Sequence, residues 1–317
     1  MRPNRRDVLV IGSANVDVSV NTAVLPHPGE TVFGDGAVIS VGGKGANQAV
    51  AAAAAGATTR LVARVGEDAF GRMVRDELAA RGVATDLIEG LPDADTGLAA
   101  IYVERTGQNC IVVVPGANAR LTPASLEPLA PLIAAAAVVV LQCEIPLETV
   151  YHAAELAAAG GTPVILNPAP CRDLNLRRIG RCLTYLVPNE TEASQLSGLP
   201  VGTPAEAERA AAALRREGIG RVIITLGANG CVVDDGAAPP QHVAAHAVAA
   251  VDATGAGDAF VGCLAASLAA GRAADEAVRR ATVYAALSTT RRGAQHSYPR
   301  GEEFEQVWRV LAAPARG

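Results

Sequence analysis

Aromatic side chains are scarce in this 317-residue chain, at 3% of the total with four Phe and one Trp. A core cannot be assembled around large rings, so it must come from Ala, Val and Leu on closely packed helices and strands. Apolar residues make up 50% of the chain, which suffices for a core and excludes an intrinsically disordered polymer. Long apolar runs are missing as well. The longest, Leu132 to Cys143, follows Pro131 and falls well short of the ~20 residues of a membrane span. It reads as a helix tail running into a buried strand. Basic excess is absent: the net charge is −5, and the basic pairs Arg5-Arg6 and Arg291-Arg292 stand isolated, which speaks against a nucleic-acid partner. An anionic ligand would need a local site. The six cysteines show no CxxC spacing, so they read as small buried hydrophobes rather than disulfide or zinc partners. Val8 to Ile11 is too short for a signal core, and polar Ser13, Asn15 and Asp17 follow at once. These absences together predict a cytoplasmic protein with no membrane partner.

At about 150 residues per domain, the length allows two domains or one large α/β unit with an insertion. Short β-branched runs alternate with Ala-rich helical stretches, the pattern of a doubly wound, mostly parallel sheet covered on both faces by helices. Central strands are predicted at Val8 to Ile11, Arg60 to Val65, Val138 to Leu141, Val164 to Asn167, Tyr185 to Pro188 and Val222 to Leu226. Helices are predicted near Ala46 to Ala55, Phe70 to Arg81, Leu147 to Ala159, Glu190 to Ser197 and Ala205 to Glu217. Two further helices, near Ala259 to Ala270 and Asp275 to Thr289, follow one another directly. Two stretches, about 17–41 and 97–115, break the alternation with strand-like pieces separated by turn residues, the second with its turn at Arg105-Thr106-Gly107. They are expected to form one small sheet over the ends of the main strands, a β lid.

Chemistry concentrates at a few loops. Asp252-Ala253-Thr254-Gly255-Ala256-Gly257-Asp258 is a Gly-rich turn opening an apolar helix. The free N–H groups and positive dipole end of such a helix make an anion hole once side chains are stripped away. An acidic residue in that first turn is badly placed to bind phosphate but well placed to take a hydroxyl proton as the oxygen attacks phosphorus. Asp258 can equally serve only to complement the helix dipole. Val41-Gly42-Gly43-Lys44-Gly45-Ala46-Asn47-Gln48 gives close backbone approach together with a cation and an amide. It is not a Walker loop, because Val38 stands where the first Gly belongs and Gly45 follows the lysine. A GxGxxG fingerprint also fails at Phe260, which disfavours a nicotinamide enzyme.

Asn15 and Asp17 share one face of an extended segment just past the first strand, offering a donor and acceptors to vicinal hydroxyls. An Asx turn explains them equally well. Asn189 and Glu192 make a capping-box pattern, and they also suit an approach to nucleotide phosphates with a hydrated Mg²⁺. Glu144, at the end of a buried strand, can bond a sugar hydroxyl or stay solvated. His242 and His246 are spaced like a helical metal pair, but their Ala/Val-rich surroundings read as extended.

Taken in order, these segments resemble the ribokinase family of carbohydrate kinases over nearly the whole chain. The motifs that carry the resemblance include Gly12-Ser13-Ala14-Asn15-Val16-Asp17, Pro28-Gly29-Glu30-Thr31, Gly42 to Ala49 and Asn167-Pro168-Ala169-Pro170. Pro188 to Glu192, Thr225-Leu226-Gly227, Asp252 to Asp258 and Arg292-Gly293-Ala294-Gln295 complete the set. The resemblance implies one three-layer α/β domain over residues 1–317, with a β lid that also forms a homodimer interface. It implies transfer of a phosphoryl group from ATP to the 5-hydroxyl of D-ribose, with Asp258 as general base and Gly255, Ala256 and Gly257 as anion-hole amides. Asn15, Asp17, Gly43, Lys44, Asn47 and Glu144 would hold the sugar. Asn189, Thr225, Gly227 and Gly230 would line the ATP site, with Glu192 acting on Mg²⁺ through water. A monovalent cation, K⁺, would lie near Asp252, Thr254, Ser288, Arg291, Gly293 and Ser297, several acting through backbone carbonyls. Within the same resemblance stand kinases of deoxyribose, another pentose or a nucleoside, and a sugar-binding regulator without catalysis.

Overall fold

The computed structural model describes residues 7–171 and 173–312, so Arg5-Arg6 lies outside the described residues. The chain begins with β1 (Asp7–Ile11), β2 (Asn15–Thr22), β3 (Gly34–Gly42), α1 (Lys44–Ala54), β4 (Thr58–Gly66) and α2 (Ala69–Ala80). It continues through β5 (Val83–Ala84), β6 (Ile88–Leu91), β7 (Gly97–Glu104), β8 (Asn109–Val114), α3 (Pro123–Leu126) and α4 (Ala130–Ala135). Next come β9 (Val138–Leu141), α5 (Leu147–Ala159), β10 (Val164–Leu166), α6 (Leu176–Ile179), β11 (Tyr185–Leu186), α7 (Glu190–Ser197) and α8 (Pro204–Arg215). The remainder is β12 (Arg221–Thr225), β13 (Cys231–Asp234), β14 (Gln241–Val243), α9 (Ala256–Ala269), α10 (Ala274–Ser288) and α11 (Gly301–Ala312).

The main sheet has the order β14-β13-β12-β11-β10-β9-β1-β4-β5, with β6 also paired to β4. From β12 to β5 every pairing is parallel, and β13 and β14 add an antiparallel edge. Alternation along each strand splits the core in two. Val8 and Val10 of β1 pack with α1, α9 and α10, whereas Leu9 and Ile11 pack with α5 and α8 on the opposite face. A sheet buried on both sides explains why these strands read as unbroken β-branched runs.

A second sheet has the order β3-β2-β7-β8, with β2 parallel to β7 and antiparallel to β3. The β7–β8 hairpin turns at Gly107, where φ is 89° and the Glu104 amide donates to the Gln108 carbonyl. The chain passes from β1 into β2 through Gly12, Ser13 and Ala14 and returns from β3 into α1 through Gly43. Polar residues gathered at these crossings therefore lie between the two sheets, at the carboxyl ends of the main strands, where open α/β sheets bind ligands.

Three outcomes differ from the sequence reading. The β13–β14 edge was not predicted, because β14 is a mostly exposed polar segment without a β-branched run and β13 is only a short antiparallel return from β12. Helix α11 was not predicted either; its Phe304, Val307 and Trp308 pack at helical spacing onto the α10 side of the core. Of the cysteines, only Cys143, Cys231 and Cys263 are buried, while Cys110 is exposed on β8. Among the described residues no helix is long and apolar enough to cross a membrane.

Candidate active site

Two glycine-led turns bring the site together. Helix α1 starts on Gly43, whose φ of 89° leaves no side chain to cap the first turn. The capping acceptor comes from far along the chain: Glu144 Oε2 accepts from the Lys44 amide at 3.0 Å and from Ser13 Oγ at 2.6 Å. The Gly45 amide in turn donates to Ser13 Oγ at 3.2 Å. A Cβ on Gly45 would lie 2.6 Å from both Ser13 N and Ser13 O, so only glycine allows this approach. Glu144 thus complements the positive end of α1 and fixes it against the β1–β2 crossing.

Asn118, which the sequence reading did not single out, staples the small sheet to the same crossing. Its Oδ1 accepts from the Ala14 amide at 3.0 Å, and its Nδ2 donates to Asn15 Oδ1 at 2.7 Å. Asn15 is buried and Asp17 half-buried, two residues apart on β2. Burial, with the negative charges of Glu144 and Asp258 nearby, pushes the Asp17 carboxyl up to about 6.

Helix α9 begins at the second turn. Gly255 caps it in the left-handed region at φ 76°, and Tyr298 braces the turn by donating its hydroxyl to the Gly255 carbonyl at 3.3 Å. The Ala256 amide donates to the Ala253 carbonyl at 3.1 Å, so the loop amides left for an anion are those of Gly255 and Gly257. This narrows the expected trio. Asp258, in the first turn of α9, is buried at 7% exposure, yet it lines a cavity of about 200 Å³ with Lys44, Asn189, Glu192, Gly255 and Gly257. Asn47 Nδ2 donates to Asp258 Oδ2 at 3.0 Å, and Gln48 Nε2 to Asp258 Oδ1 at 2.9 Å.

Lys44 is surrounded by carboxylates. Burial works against its charge, but Asp258, Glu144 and Glu192 outweigh that and raise its ammonium above the usual lysine range. Asn189 and Glu192 form the capping box of α7, with bonds of 2.9 and 3.0 Å. Burial raises the Glu192 carboxyl, against the opposing pull of the Asn189 amide and of Lys44. Among the described residues no protein donor is bonded to Glu192 Oε1.

A larger cavity of about 390 Å³ adjoins at Thr225 and Gly257. Its walls are mostly alanine and glycine, including Ala245, Ala253, Ala285, Gly227 and Gly230, with Val248, His246 and Phe260. Thr282 and Thr289 direct their hydroxyls to carbonyls of their own helix and turn, at 3.0 and 2.7 Å. His242 lies outside this lining and contacts the Asn229 carbonyl at 2.6 Å, so the two histidines serve different places.

The six positions read as a monovalent-cation set converge on the loop before α9 and the segment after α10. Asp252 Oδ2 accepts from the Gly293 amide at 2.8 Å, and its Oδ1 from the Thr254 amide and hydroxyl at 2.9 and 2.6 Å. Ser288 and Ser297 are buried, each donating to a carbonyl three residues back. The Arg291 side chain turns away to pair with Glu303. Among the described residues no donor is bonded to the backbone carbonyls of Thr254, Arg291 or Gly293, which suits a weakly held cation. Among the described residues no group of three or more His, Cys, Asp or Glu is placed to hold a metal.

Residues 5–300 match the family model of the pfkB family carbohydrate kinases. The chain belongs to that family. It is 39% identical over 303 residues to the deoxyribokinase of Salmonella typhi, covering 95% of this chain and 98% of that protein. To the ribokinase of Mus musculus it is 41% identical over 296 residues, covering 92% and 91%. The structure of Arabidopsis thaliana ribokinase complexed with ribose and ATP superimposes with a TM-score of 0.89 at 31% identity, covering 98% of this chain and all of that one. The expected three-layer α/β fold with its separate small sheet is therefore that of the ribokinase-like kinases, and this chain is a carbohydrate kinase of that family.

Proposed function

We propose that the chain phosphorylates the 5-hydroxyl of D-ribose with ATP, giving D-ribose 5-phosphate and ADP. The observation that carries this reading is the position of Asp258, a buried carboxylate at the mouth of a bare glycine turn. On one side of it lie Asn15, Asp17, Asn47 and Glu144, suited to a polyhydroxylated sugar. On the other lies the alanine-lined cavity entered past Gly257, suited to a nucleotide base. Asp258 accepts the hydroxyl proton, the freed oxygen attacks the γ-phosphorus, and the bond to the ADP oxygen breaks. The Gly255 and Gly257 amides at the positive end of α9 receive the negative charge that gathers on the transferred group, and Lys44 offsets it. Thr225, Gly227 and Gly230 border the nucleotide, beside Asn189.

Glu192 would orient Mg²⁺ through water, using the oxygen its capping bond leaves open; the ion would neutralise phosphate charge when bound. K⁺ would be held by the Thr254, Arg291 and Gly293 carbonyls with Asp252, Ser288 and Ser297 around them, sustaining the geometry of the anion-hole turn. The small sheet acts as a lid that excludes water from the γ-phosphate. Its outer strands leave Val38, Ile39, Ile111 and Val112 more than half exposed, apolar surface along both edges of the small sheet that supports pairing with a second copy in a cytoplasmic homodimer.

Steady-state kinetics with ribose, 2-deoxyribose, other pentoses and nucleosides test the substrate, with Na⁺ replacing K⁺ in parallel. The reading requires the highest kcat/KM for ribose and a loss of rate in Na⁺. A higher kcat/KM for 2-deoxyribose would assign that sugar instead. Absence of ADP release with every sugar would make the chain a binding protein.

A further inference from the structure

We infer that Gln48 is a positioning residue for the catalytic base, and that Gln142 acts through Gln48 to hold it. The inference rests on the assignment of Asp258 as that base and extends it to residues that touch neither substrate.

Both oxygens of Asp258 are already bonded before any ligand arrives, by Asn47 at 3.0 Å and by Gln48 at 2.9 Å. A side-chain amide can in principle present either its oxygen or its nitrogen, but Gln48 has no such choice. Its Oε1 accepts from Gln142 Nε2 at 2.7 Å, so its NH₂ must face Asp258. The second N–H of that NH₂ goes to Asn167 Oδ1 at 3.1 Å, and Asn167 is itself oriented by donating to the Val187 carbonyl at 2.9 Å. On the opposite side, Gln295 Nε2 donates to Asn47 Oδ1 at 2.9 Å. Two directed chains result, Gln142 to Gln48 to Asp258 and Gln295 to Asn47 to Asp258, and in each the donors linking one residue to the next run toward the carboxylate.

Gln142 and Gln48 are fully buried and Gln295 is 5% exposed. The outer ends of the chains, Gln142 Oε1 and Gln295 Oε1, have no hydrogen-bond partner among the described residues. An arrangement serving stability alone would pair those oxygens, since an unmet buried acceptor is costly. Here the donor direction is kept at their expense. Linked donors of one direction also polarise one another.

What such a clamp does follows from the surroundings. The charged or titratable groups facing Asp258 are Lys44 from α1, Asp17 from β2, Glu192 from α7 and Tyr298 from the segment before α11. A carboxylate free to rotate would swing toward the Lys44 ammonium and away from the sugar hydroxyl. Two amide donors hold its plane and leave one lone pair on each oxygen for that hydroxyl.

The test is Gln48→Met, which keeps the length and removes the donors, with Gln142→Met as a milder variant that leaves Gln48 in place. Calorimetric Kd values for ribose and ATP should stay within about threefold in both, which also shows that each is folded. The kcat of Gln48→Met should fall roughly 10- to 100-fold, and Gln142→Met should fall less. The acid limb of the kcat–pH profile should move to higher pH in both, since a donor to the charged carboxylate is lost or loosened. If Gln48→Met does not fold, Gln142→Met alone decides by the same two readouts. An unchanged kcat and pH profile in the folded variants, or a loss confined to ribose affinity, would overturn the inference. Asp258→Asn run alongside separates the two levels. If it stays active, the base assignment itself fails; if it is inactive while Gln48→Met is normal, only the positioning role fails.

Discussion

The two halves of the site are built from different material. Around the proposed sugar position, the lining is made of side chains that already hold one another: Ser13, Glu144 and the Lys44 amide, Asn118 with Asn15, and the amides around Asp258. Around the proposed nucleotide position the walls are mostly alanine and glycine, and the hydroxyls of Thr282 and Thr289 are spent on nearby carbonyls. The first half can discriminate hydroxyl patterns, because a wrong partner leaves buried polar groups unpaired. The second recognises by shape and backbone, and should tolerate change. Adding one side chain to each half is the sharpest way to expose the difference.

Gly45→Val forces atoms into the Ser13 backbone, where a Cβ already stands at 2.6 Å. It should destabilise the protein by about 2–4 kcal/mol in urea unfolding and lower kcat/KM for the sugar by about 100-fold or more. Gly257→Ala meets no protein atom within 4 Å. It should fold with unchanged or slightly higher stability, as alanine favours a helix, and its kinetic effect should fall on KM for ATP. Equal destabilisation by the two would end the contrast.

The next effect is in pH. With the Asp17 carboxyl at about 6, KM for the sugar should rise as pH falls through 6, because the protonated group loses an acceptor, while KM for ATP stays flat. Stability runs the opposite way. The folded protein binds this proton more tightly than the unfolded chain, whose carboxyl titrates near 3.8, so Asp17 favours folding increasingly as pH falls from 6 toward 4. Above pH 6 the crowded carboxylate opposes folding, and Asp17→Asn should raise stability at pH 8 by ~1–2 kcal/mol while weakening sugar binding. Denaturant midpoints at pH 5 and pH 8 check the sign. The smallest effect is assigned to the apolar half: His246→Ala should raise KM for ATP less than about tenfold and leave the sugar KM alone, measured by ADP release.

How much of this was legible beforehand depends on how local each signal is. The strands Val138–Leu141 and Val164–Leu166 announce themselves as β-branched runs because both faces are buried. The turns before α1 and α9 are visible because close backbone approach demands glycine. The capping box at Asn189 and Glu192 is likewise a local pattern, and it forms. Gln142 and Asn118 gave no such sign, and Gln295, though inside a motif, was given no role there. Gln142 is 94 residues from Gln48, Gln295 is 248 from Asn47, and Asn118 is 103 from Asn15, so their meaning exists only after the chain has closed on itself. Gln48 sat inside a recognised motif, but a single glutamine there reads as one more polar helix residue until its partners arrive. That the Ala256 amide is spent on Ala253 was equally out of reach, since it follows from the turn's dihedrals rather than its residue types.

The central claim is that the Asp258 carboxylate takes the proton while the glycine turn receives the charge. Its most direct test is single-turnover phosphoryl transfer by Asp258→Asn with saturating ATP and ribose. The expected rate lies at least about 100-fold below that of the unaltered enzyme, with both ligands still binding within about threefold. Transfer within tenfold of the unaltered rate would contradict it.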